Sequence, residues 1–314
     1  MIQKFTYHAD LPLVSRIAYG CMGLGGEWNP EPCSDTVKHE NFAAIEAALE
    51  AGINFFDHAD IYRVGKAEQV FGEFLKANPH VRNSMVIQTK CGICGGFYNF
   101  DSDYIISSVE GSLRRLGLEQ VDCLLLHRPD LLIEPEQVAA AFDHLHRSGK
   151  VKAFGVSNFT SAQIELLQAA VDQKLCANQI NLSLNHHKLI SDGVLGNTDQ
   201  VQWGDPLLDY CRLHGVRIQA YSCVGKGRLF ADRADFNEAE TQTRAYLVEL
   251  AEKYGVGVDA VMVAWLLRHP AGIQPILGTS KADRITSACL ADEITLERPE
   301  WYRLLELIRG KRVP

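Results

Sequence analysis

The 314-residue sequence lacks several features that are typical of membrane, secreted and nucleic-acid-binding proteins. No apolar run approaches the ~20 residues of a membrane-spanning helix, and the opening MIQKFTYHADLPLVSRIAYG has no apolar core of the secretory-signal kind. The nine cysteines form no regular framework, and a net charge of −8 argues against a general nucleic-acid surface. We therefore expect a cytoplasmic protein, monomeric or weakly homo-oligomeric, with no nucleic-acid or membrane partner.

A dinucleotide fingerprint is also missing, and this absence bears on the fold. No Gly-x-Gly-x-x-Gly follows the first β-rich run, which argues against an open doubly wound sheet, the main alternative.

What the sequence does contain is an alternation of β-rich runs with amphipathic helical patterns, which is typical of parallel α/β architecture. Eight such units predict an α/β fold of the (β/α)8 TIM-barrel type, a single domain over residues 1–314 with long βα loops on its active face. The segment before Arg16 is expected to cap the bottom of the barrel. The predicted strands are Arg16–Gly20, Ile53–Asp57, Met85–Lys90, Val121–His127, Lys152–Ser157, Ala177–Leu182, Val216–Ser222 and Ile273–Gly278.

Polar side chains stand at the ends of most of these strands. In a (β/α)8 barrel the carboxyl ends of all strands meet on one face, where reactions take place. Any one of these residues alone would be ordinary loop polarity, but their repetition predicts a site. They are Asp57, Lys90, His127, Ser157 with Asn158, and Tyr221 with Ser222, while strand six carries Gln179 and Asn181 inside an otherwise apolar run.

Four residues of this face have a shared chemical logic. A phenol with a pKa of ~10 is a poor acid at neutral pH, but an adjacent ammonium lowers that pKa. Lys90 can supply the ammonium to Tyr62, Asp57 can hold Lys90 in place, and His127 can orient a bound carbonyl. This set suits a general acid that protonates an alkoxide as it forms from an aldehyde or ketone.

The stretch from Gly52 to Tyr62, GINFFDHADIY, matches the pattern G-x-[NT]-x-[FI]-D-x-A-x-x-Y of the aldo-keto reductase superfamily. Further family elements follow in order: Lys90, LLLHRPD, GKVKAFGVSNF, NQINLS, AYSCVGKGRLF and PILGTSKADRI. The chain therefore resembles an aldo-keto reductase along essentially its whole length, most closely a bacterial branch of oxidoreductases.

The resemblance implies an NADPH/NADP+-dependent reductase of small-molecule carbonyl compounds, with Asp57, Tyr62, Lys90 and His127 as a catalytic tetrad and Tyr62 as general acid. It assigns Ser157, Asn158 and Gln179 to the nicotinamide carboxamide and Tyr221 to stacking on the nicotinamide ring. Amide and hydroxyl groups suit a carboxamide, and an aromatic face suits a flat ring. Gly20, Cys21, Met22 and Asp57 complete this part of the expected cofactor site.

Two glycine-containing stretches are expected to hold the phosphates of the cofactor. The first comprises Ser222, Cys223, Gly225, Gly227 and Arg228, with Lys226 between the two glycines; its small residues admit a pyrophosphate and its basic side chains offset the charge. The second comprises Gly278, Thr279, Ser280, Lys281 and Arg284, at the start of a predicted helix where a 2′-phosphate can bind. Leu277 stands where much of the family has proline, and Gly278 where some members have lysine, so the expected preference for NADPH depends on Lys281 and Arg284.

Long loops at Cys21 to Asp35, Cys91 to Asp101 and Ser183 to Gly204 are expected to form the substrate pocket. The loops carry Trp28, Phe97, Tyr98, Phe100 and Trp203, any of which can line the pocket or pack its loops down. The expected substrate pocket consists of Trp28, Tyr62, Phe97, Tyr98, His127 and Arg128. With the chain ending soon after Arg309, no long C-terminal tail is expected to close over it.

We expect no metal site. Cys91 and Cys94 have the spacing of a half-zinc or redox motif, but no second pair stands at zinc-ribbon spacing. Two reduced loop thiols are the simpler interpretation, with oxidation-sensitive activity as an alternative. His58 is expected to satisfy local hydrogen bonds.

Three functions remain open at this point: a carbonyl reductase, a non-catalytic NADP(H)-sensing regulatory subunit on the same fold, and a lyase that forms a Schiff base at Lys90. The intact tetrad favours the first over the second. The expected dinucleotide site counts against the third.

Overall fold

The structure, a computed structural model, describes residues 2–193 and 204–313. Eight parallel strands close into a barrel in which each strand pairs with the next in the sequence and the last pairs with the first. They are β1 (Ala18–Gly20), β2 (Phe55–Asp57), β3 (Val86–Cys91), β4 (Val121–Leu126), β5 (Val151–Ser157), β6 (Leu175–Asn181), β7 (Arg217–Tyr221) and β8 (Gln274–Leu277). The predicted TIM barrel is confirmed, and every predicted strand agrees with its observed bounds to within two residues.

Helices surround the barrel, and local capping signals fix several of their ends. Thr160 and Asn237 each begin a helix with a capping box, while Gly117, Gly215 and Gly255 end helices in the left-handed conformation that glycine adopts without strain. The α-helices are α1 (Asp35–Glu50), α2 (Lys66–Ala77), α3 (Ser102–Leu116), α4 (Pro135–Arg147), α5 (Ser161–Gln168), α6 (Lys188–Ser191), α7 (Leu207–His214), α8 (Glu238–Tyr254), α9 (Val258–Leu267), α10 (Ala282–Cys289) and α11 (Arg298–Arg309). In the described part of the chain, none of the helices has the length and apolar character needed to cross a membrane.

The N-terminal segment closes the bottom of the barrel, as predicted. Its strands Lys4–Phe5 and Val14–Ser15 pair antiparallel. Between them, Tyr7 and Leu11 are buried against residues from the first positions of the barrel strands, and the rings of Tyr7 and Phe55 lie 5.1 Å apart. Burial of this apolar surface seals the lower end of the barrel interior from water.

A hydrogen-bonded cluster of glutamines, here called the amide network, fills the middle of the barrel. Gln88 Nε2 donates to Gln219 Oε1 (2.9 Å), and Gln219 Nε2 donates to Gln274 Oε1 (3.0 Å) and to the Tyr7 hydroxyl (3.2 Å). These side chains are buried, so each unpaired amide would carry a desolvation cost. The network consists of Gln88, Gln179, Gln219 and Gln274, and through it the bottom cap is connected to the upper face.

Candidate active site

A buried ion pair lies at the upper end of the barrel. Lys90 Nζ, on β3, is 2.7 Å from both carboxylate oxygens of Asp57, the last residue of β2. The same ammonium donates to the backbone carbonyl of His58 (2.8 Å) and to the hydroxyl of Tyr62 (3.1 Å). Neighbouring parallel strands thus bring together three of the four predicted catalytic side chains in direct contact.

The amide network also reaches the ion pair. Gln88 Nε2 and Gln179 Nε2 both donate to Asp57 Oδ1, at 2.6 and 2.9 Å. Asp57 therefore accepts charge-assisted hydrogen bonds from two amides and one ammonium, which holds its carboxylate in a single orientation. Of these two glutamines, the sequence prediction included only Gln179.

The pKa of Tyr62 differs from the expectation. Burial raises the pKa of the Tyr62 phenol more than the neighbouring Lys90 lowers it, so the net direction is upward. Burial lowers the pKa of Lys90, but the charge of Asp57 and the Tyr62 hydroxyl outweigh this and raise it overall. Tyr62 is thus a protonated phenol beside a firmly charged ammonium.

His127 follows β4 and faces Tyr62 across the site. The two rings have centroids 5.8 Å apart at an angle of 81°. Burial, together with the charges of Lys90 and Arg128, lowers the pKa of His127 to about 2, so its ring is neutral in any ordinary assay. A neutral imidazole can donate one hydrogen bond to a carbonyl oxygen without adding charge to the site.

The residues predicted to hold a carboxamide form a connected group beside the ion pair. Asn158 Nδ2 donates to Ser157 Oγ (2.9 Å) and to the backbone carbonyl of His127 (3.1 Å), and Tyr221 donates its hydroxyl hydrogen to Asn158 Oδ1 (2.9 Å). Gln179 Nε2 is occupied by Asp57 and Gln219. No hydrogen bond from residues 2–193 or 204–313 reaches Gln179 Oε1, so this oxygen is an open acceptor for an amide N–H.

An open cleft of about 740 Å³ runs over this face. Gly20 lies in its floor, where a Cβ atom would approach Ile276 Cγ2 to 2.9 Å and the Leu277 carbonyl oxygen to 3.0 Å. Of the predicted residues, the cleft is lined by Gly20, Met22, Trp28, Asp57, Tyr62, His127, Arg128, Ser157, Asn158, Gln179, Tyr221, Ser222, Cys223, Gly227, Gly278, Thr279 and Arg284. Most of the predicted set therefore converges on one cavity.

Other predicted cofactor residues lie outside the lining of this cleft. Cys21 is buried beneath it, and Arg228, expected to offset a pyrophosphate, is paired with Glu240 and with Asp235 at 3.1 Å. Lys226 lines the cleft in its place. Gly225, Ser280 and Lys281 also lie outside the lining, and Lys281 Nζ is 3.5 Å from Glu40 Oε2 on the exposed surface.

The pocket aromatics separate into two groups. Trp28 lines the cleft. Tyr98 accepts a hydrogen bond (3.2 Å) from Arg128, which is itself a lining residue. Phe97 is largely exposed outside the lining, whereas Phe100 is buried and stacked on Phe159, so it packs its loop down. Trp203 lies outside the described residues.

Sequence reasoning missed several lining residues, including Ile61, Ile93, Val224, Phe230, Asp259 and Ala288. Most are apolar and carry no chemical signature of their own. Ile61 and Val224, however, are each next to a predicted site residue in the sequence, and this could have identified them as lining residues.

The structure corrects the prediction for His58. Both of its ring nitrogens are buried without a hydrogen-bond partner among the described residues, and the ring packs against Phe71 at a centroid distance of 4.5 Å. Burial, with the charge of Lys90, lowers the pKa of His58 to about 3. Cys91 is buried and Cys94 is half-buried, and no cluster of three metal-ligating side chains occurs within residues 2–193 and 204–313. The absence of a metal requirement stays a prediction.

Asp60 gives a testable pH dependence of stability. Burial raises its pKa to about 6 despite a 2.7 Å hydrogen bond from Ser108 Oγ, and Oδ1 has no partner in the described part of the chain. The folded state therefore binds the proton more tightly than the unfolded state, whose pKa is ~3.9. The contribution of Asp60 to the free energy of unfolding should be fully present below pH ~4 and should be lost, by about 1–3 kcal/mol, as pH rises through 6.

The variant Asp60→Asn should remove this pH dependence of the free energy of unfolding, measured by denaturant unfolding across pH 4–8. The control Asp172→Asn, at an exposed carboxylate, should keep it. An identical slope in Asp60→Asn would contradict the assignment.

Comparisons with known proteins agree with the resemblance. A sequence model described as the Aldo/keto reductase family matches residues 16–309. The chain is 40% identical to 6-dehydroglucose reductase of Agrobacterium fabrum, covering 99% of this chain and 100% of the relative. It is 38% identical to the oxidoreductase YdhF of Escherichia coli, covering all of both chains. A crystal structure of an aldo-keto reductase from Klebsiella pneumoniae in complex with NADPH has a similar fold, with a TM-score of 0.75, 24% identity and coverage of 100% and 97%.

Proposed function

Because the chain belongs to the aldo/keto reductase family, we propose that it reduces an aldehyde or ketone to the alcohol with NADPH as hydride donor. The single observation that carries the proposal is the contact chain Asp57–Lys90–Tyr62, buried under an open cleft. It holds a phenol beside a fixed positive charge at the place where a carbonyl oxygen can lie.

The proton chemistry follows from this geometry. Tyr62 donates its hydroxyl proton to the carbonyl oxygen as negative charge develops there, and the product is an alcohol. Lys90 is already charged and 2.7 Å from Asp57, so it stabilises the phenolate that remains without having to reorganise. Neutral His127 donates a hydrogen bond to the same oxygen and fixes the orientation of the carbonyl.

The cleft has the chemical groups that NADP(H) requires, and when bound the nicotinamide supplies the hydride. Gln179 Oε1 would accept a hydrogen bond from the carboxamide, and Tyr221 would offer its ring as a stacking surface. Lys226 and Arg284 would supply positive charge for the phosphates, whereas Arg228 is paired with Glu240.

The two alternative functions are less well supported. A Schiff-base lyase needs a neutral lysine as nucleophile, whereas Asp57 keeps Lys90 charged and raises its pKa overall. A purely regulatory subunit would have no need of a phenol held 3.1 Å from an ammonium in the same cleft. The reductase accounts for both features.

The proposal is tested by mixing purified protein with NADPH and a panel of aldehydes, quinones and diketones while following absorbance at 340 nm. Hydroxylated aldehydes belong in the panel because one relative is named a 6-dehydroglucose reductase and because Arg128 presents a polar group at the cleft. We expect NADPH oxidation with at least one carbonyl class. Nucleotide binding without oxidation by any member would favour the regulatory alternative.

A preference for NADPH over NADH is expected, with Arg284 as its main source. Arg284 lines the cleft, whereas Lys281 shares its charge with Glu40. A charge-assisted hydrogen bond contributes about 1.5–3 kcal/mol, which corresponds to at least a tenfold preference. Fluorescence titration should show that Arg284→Ala removes most of the preference and Arg284→Ala with Lys281→Ala removes the rest, while the Kd for NADH stays constant as the internal control. Equal affinity of the wild type for both nucleotides would sink the assignment.

A further inference from the structure

The turn that follows Tyr62 has an unusual backbone. Arg63 (φ 53°) and Val64 (φ 60°) both adopt the left-handed conformation, and Gly65 (φ 85°) continues it. For residues other than glycine this region carries a steric cost, which is largest for a β-branched side chain such as valine. Glycine would fit positions 63 and 64 without strain, so the arginine at 63 is unfavourable for the backbone itself.

The side chain of Arg63 makes two contacts with the loop between β1 and α1. Its Nε donates to the carbonyl oxygen of Met22 (3.0 Å), and its guanidinium carbon lies 5.3 Å from the ring centroid of Trp28. Among the described residues no carboxylate lies within ion-pair distance of Arg63. The guanidinium therefore contacts only this loop and solvent among the described parts of the structure.

Both partners of Arg63 line the cleft. Trp28 is 51% exposed, so packing alone covers only about half of its ring. Lys66, three residues after Arg63, holds the far part of the same loop through Asn29 Oδ1 and the Glu31 carbonyl, both at 2.9 Å. Arg63 contacts the indole itself.

We propose that Arg63 is a positioning residue that sets substrate specificity by holding Trp28 as an aromatic wall of the substrate end of the cleft. The proposal rests on the proposed reductase function. Arg63 touches none of the reacting groups, so it acts on the binding of the carbonyl compound and leaves proton transfer from Tyr62 unchanged. The wall favours carbonyls with a flat aromatic or bulky apolar substituent, which gain contact area from an indole held in place.

Arg63→Gly provides the test, because it removes the side chain and at the same time relieves the backbone. With 4-nitrobenzaldehyde as probe, we expect KM to rise about three- to tenfold, the range of an exposed cation–π contact plus a hydrogen bond, with kcat unchanged. With propanal, KM should change less than about twofold, since it has no ring to lose contact. The melting temperature should stay the same or rise, which separates a specificity role from a structural one.

Val64→Gly is the matched control, because it relieves the same strained turn but leaves the guanidinium in place. Its KM values for both carbonyls should equal those of the wild type. A KM rise in Val64→Gly equal to that in Arg63→Gly would show that backbone conformation, and not the Arg63 side chain, determines binding, and would overturn the proposal.

A double-mutant cycle shows whether Arg63 acts through Trp28. In the Trp28→Ala background, Arg63→Gly should have no further effect on KM. An effect of the same size in both backgrounds would overturn the proposal.

A measurement without turnover keeps the inference separate from the proposed function. The fluorescence difference between a protein and its Trp28→Ala counterpart reports Trp28 alone, and acrylamide, a neutral quencher whose local concentration does not depend on the charge of Arg63, should quench this signal more strongly in Arg63→Gly than in the wild type. Unchanged quenching would overturn the positioning role even if carbonyl reduction is found. Increased quenching in a protein that reduces no carbonyl would contradict the proposed reductase alone.

Discussion

Tyr62→Phe is expected to lower the rate of carbonyl reduction by about 10²–10⁴ while leaving nucleotide binding intact. The substitution keeps the ring and its packing against His127 but removes the proton that the alkoxide must receive. It also removes the acceptor 3.1 Å from Lys90 Nζ, although Asp57 and the His58 carbonyl still surround that ammonium. Single-turnover hydride transfer from bound NADPH, measured beside a nucleotide titration, isolates the chemical step.

Tyr19→Phe is the matched control for this experiment. The Tyr19 ring is fully buried beside Phe56, and its hydroxyl has no hydrogen-bond partner in the described part of the chain. Removing that hydroxyl should leave the rate near that of the wild type. If Tyr62→Phe also reduces carbonyls at a near wild-type rate, Tyr62 is only a packed aromatic and the proposed acid is wrong.

Lys90→Met should cause a similar loss by a different route. Lys90 lowers the pKa of Tyr62 against the effect of burial, so its removal raises that pKa further and weakens the acid. Reduction requires the protonated phenol, and any residual activity should therefore persist to higher pH than in the wild type. In Tyr62→Phe with Lys90→Met, the total loss should be close to that of the larger single change, because both disable one acid.

Stability must be separated from catalysis in this experiment. Lys90→Met leaves the buried Asp57 carboxylate without its cation, which costs about 3–5 kcal/mol of folding free energy in comparable buried pairs. Lys90→Met with Asp57→Asn removes both charges and should recover much of the melting temperature without recovering turnover. Recovery of turnover in this neutral pair would show that the ammonium is not required for proton donation.

The positions of the site residues were predictable because the fold converts sequence order into spatial convergence. Once eight strands are placed in a barrel, residues such as Asp57, Lys90 and Ser157 must approach one another at the carboxyl ends, whatever the details of packing. The family pattern around Tyr62 added a residue that lies in the loop well beyond the end of its strand. The roles assigned to these residues, and the single-domain assignment for residues 1–314, stay predictions.

Some properties of the site could not be predicted from the sequence, because they depend on how deeply a side chain is buried by distant parts of the chain and on which side chain it contacts. Whether Lys90 or desolvation dominates the pKa of Tyr62 is decided by how completely the ring is covered. Arg228 has carboxylates seven and twelve residues away that capture it, and no local pattern distinguishes this outcome from phosphate binding. The sequence does not show whether Phe100 faces the pocket or the core, because its orientation depends on stacking with Phe159, which is distant in the sequence.

Part of the amide network could have been predicted from the two-residue period of side chains along a strand. Alternate residues of a strand point to the same face, so Gln88 lies on the same side of β3 as Lys90, and Gln219 on the same side of β7 as Tyr221. Applying the two-residue period inward from each predicted site residue identifies both glutamines. Their mutual contacts, however, depend on the stagger of the strands around the barrel, which the sequence does not display.

The span of the amide network along the chain also determines when the site is completed during synthesis. Its hydrogen bonds join Tyr7, Asp57, Gln88, Gln219 and Gln274, so the last partner is added only when nearly nine-tenths of the 314-residue chain has been made. Contacts between residues so far apart in sequence form late, after the cost of closing long loops has been met. Until β8 is inserted, the barrel is open between β7 and β1 and the amide network lacks Gln274, so no N-terminal fragment that ends before β8 can contain the finished site.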